Sequence, residues 1–298
     1  MIVLQLIVVI ALAPLMLGVI NRTKAIIAGR RGQPLLQLYY DVAKLLRRGS
    51  VLSKSTTLVF LAGPAIALTA ALLASLMLPL IGSSAPIAFT GDFILFVYVF
   101  ALSRFFTTSA ALDTGSAFEG MGAAREVTFA CLAEPALLLG LLALARLAHS
   151  LTLSSLLTVS GPTWRTASAA LVLIVASWVI VLLAENSRVP FDDPNTHLEL
   201  TMIHEVMVLD HGGPAFGLVL YAGAVKLFVF GALVAAVVLP HPANTAAHAA
   251  LNLAAVLVIG VFIGIVESAM GRLRLVRIPQ LLITATLIAA FAVVLVLK

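Results

Sequence analysis

Long apolar stretches, free of Asp, Glu, Lys and Arg, recur along this chain and predict its main structural elements. A helix that crosses a lipid bilayer needs about 20 mostly apolar residues, and the chain offers this length repeatedly. Two further apolar stretches carry an isolated charge, Arg104 in one and Glu134 in the other. We therefore predict eight transmembrane helices, at roughly residues 1–20, 57–80, 93–112, 126–145, 166–185, 217–239, 248–270 and 279–297.

The composition agrees with this pattern and excludes a water-soluble globule. Of the 298 residues, 62% are hydrophobic and 10% are charged, whereas soluble domains carry roughly a quarter of charged residues. We predict an all-α integral membrane protein that forms a single polytopic domain over residues 1–298. Cys131 is the only cysteine, which excludes a disulfide framework and an iron–sulfur cluster ligated by this chain alone. We expect no cofactor bound by this chain, so that any redox cofactor lies in a partner protein.

The distribution of Lys and Arg predicts the orientation of the chain. Cytoplasmic loops are enriched in these residues, and thirteen of the 18 fall on one side of the predicted spans: Arg22, Lys24, Arg30, Arg31, Lys44, Arg47, Arg48, Lys54, Arg125, Arg188, Arg272, Arg274 and Arg277. The opposite side holds Arg146, Arg165 and Lys298. This predicts a multi-pass protein of the cytoplasmic (inner) membrane with both termini on the outer side. The net charge of +5 follows from this topology, and we expect no nucleic-acid partner.

An amphipathic helix is predicted in the first inner loop, after the first span. Its apolar side comprises Leu35, Leu38, Tyr39, Val42, Leu45 and Leu46, and its polar side Gln37, Asp41, Lys44, Arg47 and Arg48. Such a segment lies along the membrane surface. This helix serves either as a lipid anchor alone or as a docking site for a cytoplasmic subunit.

Carboxylates inside a membrane are costly unless they face a cavity, a partner charge or a proton route. Glu134 lies within a predicted span, directly before Pro135, which interrupts the backbone hydrogen bonds there. Arg104 in the preceding span is its predicted ion-pair partner. The pair is either purely structural or part of a proton relay, for which Lys226 in the sixth span is a further candidate.

Most of the other acidic residues fall on the inner side of the predicted topology. They are Asp41, Asp113, Glu119, Glu126, Asp192, Asp193, Glu199, Glu205 and Asp210. Glu267, near Arg272 and Arg274 in sequence, lies at the end of a span, and a solvated ion pair is favoured there.

The densest group of polar residues is the segment 185–199, which follows the fifth span. Asp193 before Pro194 is typical of a helix start, so we predict a short cytoplasmic helix over residues 194–209. One face of that helix would carry His197, Thr201 and His204. Metal binding is one interpretation of this face, but the chain has no H-E-x-x-H motif. We favour a polar cavity or a subunit contact there, without a metal.

This segment resembles the membrane-anchor subunit family shared by respiratory complex I and the membrane-bound [NiFe] hydrogenases, and the likeness extends over nearly the whole chain. Seven of its residues match the complex I branch: Glu185, Arg188, Pro190, Phe191, Asp192, Pro194 and Glu199. A second matching motif is Gly122 and Arg125 followed by Glu134. The segments 115–122 and 192–205 resemble the hydrogenase branch, of the formate hydrogenlyase subunit 4 and hydrogenase-4 component C type.

Departures from the complex I pattern argue against a quinone headgroup site. Asn195 and His197 replace two loop carboxylates of that pattern. Phe129, Leu132 and Ala133 replace polar residues between the matching arginine and glutamate. The hydrogenase branch is therefore favoured.

The resemblance implies a non-catalytic subunit that docks a peripheral redox arm and relays protonation changes to ion-pumping subunits. Implied partners are the hydrogenase large and small subunits, an iron–sulfur subunit, antiporter-like membrane subunits and the lipid bilayer, with [NiFe] and iron–sulfur clusters in those partners. The implied relay residues are Arg104, Arg125, Glu134, Glu185, Arg188, Asp192, Asp193, Glu199, Glu205 and Lys226. The implied docking residues are Asp41, Glu119, Glu126, His197 and His204.

Three other functions stay open at this point. The first is a subunit of NADH:quinone oxidoreductase with a quinone pocket, which inhibition by a quinone analogue would favour. The second is a stand-alone secondary transporter, which predicts inverted repeats and broken helices that the sequence does not show. The third is a purely structural scaffold, which leaves the intramembrane carboxylates without a role.

Overall fold

The computed structural model describes residues 1–53, 55–82, 84–158, 160–192, 202–239 and 244–297, the side chains of 160–162 excepted. Within these ranges the regular structure is helical, without strands, and eight helices are long and apolar enough to cross a membrane. This confirms an all-α, multi-pass membrane protein. The α-helices are α1 (Ile2–Ile27), α2 (Gln37–Leu46), α3 (Leu58–Leu76), α4 (Asp92–Asp113), α5 (Ala117–Ala148), α6 (Leu153–Thr158), α7 (Ser160–Thr166), α8 (Ser168–Glu185), α9 (Gly213–Val238), α10 (Thr245–Ala269) and α11 (Ile278–Leu297).

Helix α9 is the centre of the bundle. It is apolar on every side, and helices of this kind are buried on all sides. Val225, Phe228 and Leu233 have no exposed surface. Around it pack α1, α2, α3, α8 and α10. The functional side chains that α9 carries are therefore held by neighbours on several sides.

Helix α5 is longer than predicted, because it begins at Ala117 instead of residue 126. The sequence pattern treats Glu119, Arg125 and Glu126 as loop residues because they are charged. In the structure, small residues such as Gly122 let the chain segment around Val206 pack closely against this part of α5. Its 32 residues span about 48 Å at 1.5 Å per residue, so α5 is longer than the hydrocarbon core of about 30 Å.

The amphipathic helix predicted in the first inner loop is confirmed as α2, which packs against α1 and α9. Its approach to α1 depends on Gly18. A Cβ atom at this position would lie 2.0 Å from the carbonyl oxygen of Leu35, just before α2. Tyr39 of α2 donates a hydrogen bond to the carbonyl of Ala11 in α1. The surface helix is thus attached to the membrane bundle by backbone contact as well as by apolar side chains.

Helix α3 ends at Leu76, a few residues before the predicted boundary, and the chain continues buried and non-helical. Backbone carbonyls inside a membrane need internal donors. Gln5 provides one, since its amide nitrogen lies 2.6 Å from the carbonyl oxygen of Ser75 and 2.9 Å from that of Leu78. Asn252 provides another, at 3.3 Å from the carbonyl oxygen of Leu80. These two amides allow the helix to stop early.

The predicted cytoplasmic helix over residues 194–209 is wrong in the part that the structure describes. Residues 202–209 contain a single 3₁₀ turn, Glu205–Val208. Acidic side chains accept the backbone N–H groups on either side of this turn: Asp192 accepts from Ile203 at 2.8 Å, and Glu119 accepts from Asp210 at 3.0 Å. These bonds replace the regular helical ones. Residues 194–201 lie outside the described ranges.

Candidate functional site: a buried charge cluster beside a cavity

Arg104 of α4 is the centre of a cluster of charged side chains between three helices. Its guanidinium contacts the carboxylate of Glu134 on α5, which confirms the ion pair predicted from the sequence. A second guanidinium nitrogen lies 2.8 Å from a carboxylate oxygen of Glu185, at the end of α8. The third faces Glu126, at 3.9 Å. The fork of one arginine thus joins carboxylates from two neighbouring helices, an arrangement that suits its planar, multivalent geometry.

Lys226 of α9 extends this cluster to a fourth helix. Its Nζ lies 2.8 Å from the second carboxylate oxygen of Glu185 and 6.0 Å from the centre of the Phe100 ring. Glu185 therefore bridges Arg104 and Lys226, with 5% of its side chain exposed. Two cations and three carboxylates, Glu126, Glu134 and Glu185, share one buried region. We name these five residues the central cluster.

A second group of charges, which we call the inner group, lies at the helix ends on the side predicted to be cytoplasmic, and it corrects the prediction for Glu267. Its carboxylate is buried, and it pairs with Lys24 of α1 at 2.7 Å and with Arg188 at 3.3 Å. Arg272 instead pairs with Asp192 at 2.9 Å. Glu267 is therefore not part of a solvated pair with its sequence neighbours. The packing of α10 against α1 decides this, because it places Glu267 beside Lys24.

A cavity of about 510 Å³ lies between these two groups of charges. Its polar wall includes Arg104, Glu185 and Lys226 of the central cluster, together with Arg188 and Asp192 of the inner group. Apolar side chains from α1, α3 and α9 form the remainder: Leu17, Ala67, Ala71, Phe216, Leu220 and Leu227. Residues of both groups therefore line the same cavity.

Two histidines line the cavity from the segment between α8 and α9, residues 186–192 and 202–212 as described, which we call the inner segment. Burial lowers the pKa of His204 below its ordinary value, against the opposing effect of nearby Glu126. Burial also lowers the pKa of His211, whose ring stacks on Phe60 with centroids 4.0 Å apart. The sequence analysis missed His211. Its only signal was its position directly before Gly212 and Gly213, which precede the sixth span.

Several predicted site residues have other roles in the structure. Arg125 donates a hydrogen bond to the carbonyl of Met202 at 2.8 Å and so holds the inner segment. Glu119, predicted to dock a partner, is fully buried and accepts from Thr114 at 2.6 Å, so it is not presented for docking. Glu126, predicted as a docking residue as well, belongs to the central cluster instead.

The remaining predicted residues are distributed as follows. Asp41 lies on α2 and accepts from Gln37 at 2.9 Å, away from the cavity lining. Glu205 lines the cavity. Asp193, His197 and Glu199 lie outside the described residues. Over the described ranges, no three His, Cys, Asp or Glu side chains converge as metal ligands would.

Comparison with known proteins decides the family. The model of the family described as NADH dehydrogenase matches residues 1–298, the whole chain. The chain belongs to the NADH dehydrogenase family. Two curated relatives come from Escherichia coli (strain K12). Formate hydrogenlyase subunit 4 is 33% identical over 284 residues, which cover 93% of this chain and 92% of the relative. Hydrogenase-4 component C is 32% identical over 236 residues, or 79% of this chain and 74% of the relative.

A solved structure supports the fold assignment within the NADH dehydrogenase family. A chain in the structure of the membrane-bound sulfane sulfur reductase, an archaeal respiratory membrane complex, superimposes with a TM-score of 0.83. The match covers 99% of each chain at 23% sequence identity. The architecture is therefore shared with a respiratory membrane complex, and the family resemblance predicted from the sequence is confirmed.

Proposed function

We propose that this chain is the membrane-anchor and energy-coupling subunit of a complex-I-like, membrane-bound [NiFe] hydrogenase of the formate hydrogenlyase type. The names of the two curated relatives support the hydrogenase assignment. In this proposal the chain docks a peripheral redox arm and carries out no redox chemistry itself. The hydrogenase large and small subunits and an iron–sulfur subunit hold the [NiFe] and iron–sulfur clusters.

The observation that carries the proposal is the continuity of charges around the cavity. Asp192 and Arg188 line one part of the cavity, and Arg188 pairs with Glu267. Arg104 and Glu185 line it further into the membrane. Charges interact strongly at low dielectric. A change in charge at the inner segment therefore alters the free energy of protonating Glu185, and Arg104 transmits the effect to Glu134.

The last member of this series of charges is Glu134, which contacts Arg104 but does not line the cavity. About 31% of its side chain is exposed, although it lies inside the membrane-spanning part of α5. A carboxylate that faces lipid there is costly. We infer that a membrane partner of the antiporter-like class covers this position and receives the protonation change. The orientation in this proposal places the inner segment at the cytoplasmic face of the inner membrane.

The test compares hydrogen evolution with ion translocation in membrane vesicles that contain the assembled complex. We expect Glu134→Gln and Glu185→Gln to reduce H⁺ or Na⁺ translocation per hydrogen evolved by about tenfold or more, while the complex remains assembled. Asp210→Asn is the matched control, because Asp210 is an exposed carboxylate of the inner segment outside the central cluster. Wild-type translocation in both cluster variants contradicts the relay, and loss of assembly with Asp210→Asn contradicts the choice of control.

The cavity supports one second candidate, a quinone-site subunit of NADH:quinone oxidoreductase. Its apolar wall and polar end are suited to an amphiphilic molecule. The same vesicles distinguish the two functions. Hydrogen evolution that is insensitive to quinone analogues supports the hydrogenase, whereas analogue-sensitive quinone reduction supports the alternative.

A further inference from the structure

A groove lies on the membrane side opposite the inner segment, far from the central cluster. It has a volume of about 560 Å³ and is formed by the last turns of α5 and α11 and by the chain segment after α5. Leu142, Val293, Val296 and Leu297 make its wall apolar. Its polar residues are Thr90 and, close together in the chain at the end of α5, Arg146, His149, Ser150 and Thr152. The groove is thus amphiphilic, with its polar end at the termini of two transmembrane helices.

The polar end carries uncompensated positive charge. Arg146 is exposed and makes no ion pair with any residue that the structure describes. The carboxylate of Asp92, two residues after the groove residue Thr90, is fully buried. Its oxygens accept the backbone N–H groups of Leu153 at 2.5 Å and Phe89 at 3.4 Å. Among the residues 1–53, 55–82, 84–158, 160–192, 202–239 and 244–297, none therefore accepts from the Arg146 guanidinium, and its donors face the groove.

The segment that carries these polar groups is held in place by the protein. His149 ends α5 in the left-handed conformation, with φ of 49°, and turns the chain across the helix ends. The carbonyl of Leu151 then accepts from Gly91 at 2.9 Å, and Asp92 fixes the next turn through Leu153. A ligand binding here does not have to order the loop, which favours affinity.

We propose that this groove binds the phosphodiester of an anionic phospholipid of the outer leaflet. Arg146 binds the phosphate oxygens, for which a guanidinium is well suited. His149 and the hydroxyl of Ser150 lie beside it as further donors, while the hydroxyl of Thr152 donates to Ser155 at 2.7 Å. One acyl chain of this lipid lies along Leu142 and Val296. There it contacts apolar side chains of the protein instead of the acyl chains of other lipids. The polar end lies at the terminus of a transmembrane helix, which is the level of lipid headgroups.

The experiment measures phospholipid retained by the full-length chain after purification in mild detergent, by native mass spectrometry. The probes are dioleoylphosphatidylglycerol and dioleoylphosphatidylcholine at equal concentration. We expect preferential retention of the phosphatidylglycerol, and about tenfold less of it on Arg146→Gln, since one charge-assisted bond contributes about 1.4 kcal/mol or more. Arg165→Gln is the matched control, because Arg165 is also exposed and is predicted on the same side.

A second pair of variants tests the acyl-chain part of the groove with all charges intact. Val293→Phe narrows the groove, whereas Val294→Phe adds the same ring at a residue that is 55% exposed and does not line it. We expect only Val293→Phe to release the lipid. Equal retention of both lipids, unchanged retention on Arg146→Gln, or displacement of the lipid by inorganic phosphate would each overturn the proposal.

A photo-reactive benzoylphenylalanine at Leu142 separates a lipid from a protein occupant in intact membranes. Leu142 lines the groove, and 50% of its surface is exposed. Crosslinking to phospholipid supports the proposal. Crosslinking to a neighbouring subunit in place of lipid overturns it.

Discussion

The phenolic oxygen of Tyr221 on α9 lies 2.5 Å from the carbonyl oxygen of Ile10 on α1. Pro14 explains why this carbonyl is available, because proline has no N–H to donate to the residue four positions earlier. Tyr39 of α2 binds the adjacent carbonyl, that of Ala11. Tyr221 thus compensates for the proline, and the two tyrosines join α2 and α9 to the same point of α1.

Tyr221→Phe should lower the free energy of unfolding by about 1 kcal/mol, because it leaves the Ile10 carbonyl without a donor. Thermal unfolding of the purified chain in detergent measures this effect. Tyr98→Phe is the control, since Tyr98 is 65% exposed on α4 and its hydroxyl has no partner in the described structure. Equal midpoints for the two variants would show that the bond does not contribute.

Gly18→Ala should displace α2. The added methyl would meet the Leu35 carbonyl, and backbone atoms cannot rotate away as a flexible side chain can. We expect a loss of about 1–3 kcal/mol, typical of overpacking, and faster proteolysis between α1 and α2. Gly223→Ala is the matched control, because nothing lies within 4 Å of a Cβ at that helical position. An unchanged cleavage rate in Gly18→Ala would contradict the close approach.

Stability should fall in acid because of His204 and His211. Burial holds the pKa of both rings below that of the unfolded chain, near 6.5. Below that pH the unfolded state binds protons that the folded state excludes. The stability that the two neutral histidines contribute is therefore complete above about pH 6.5, and it is lost as the pH falls below this value.

Unfolding midpoints between pH 7.5 and pH 5 measure this loss. His204→Gln should show a smaller decrease with acid than the parent, and so should His211→Gln. His149→Gln is the control, because His149 is exposed. A parent midpoint that does not change over this interval would refute the assignment.

Glu185→Gln should destabilise the chain by about 3 kcal/mol, because it removes the carboxylate shared by the buried Arg104 and the partly buried Lys226. Lys226→Met in the same chain should recover part of the loss, since removing both charges avoids the unpaired cation. Chemical unfolding of the single and double variants measures the coupling between the two residues. Strictly additive losses would show that the pair does not interact.

The local pattern of apolar and polar residues was sufficient to predict the eight spans and the amphipathic helix, because both depend on properties of consecutive residues. The ion pair of Arg104 with Glu134 was also predictable, since two opposite charges in adjacent spans have few other ways to be neutralised. The length of α5 was not predictable from the sequence. Its charged first turns resemble a loop until the packing of the inner segment against Gly122 is known.

The sequence by itself determined the membrane class, the number of spans and the family, because hydrophobic periodicity and short motifs are read from neighbouring residues. Only the tertiary structure decided the partners of the charges. Lys24 and Glu267 are far apart in the chain, yet they lie 2.7 Å apart because α1 packs against α10. The bridging role of Glu185 and the 3₁₀ turn at Glu205–Val208, in place of the predicted helix, have the same cause. Helix packing brings together groups that chain order separates, and buried charges pair with whichever opposite charge that packing supplies.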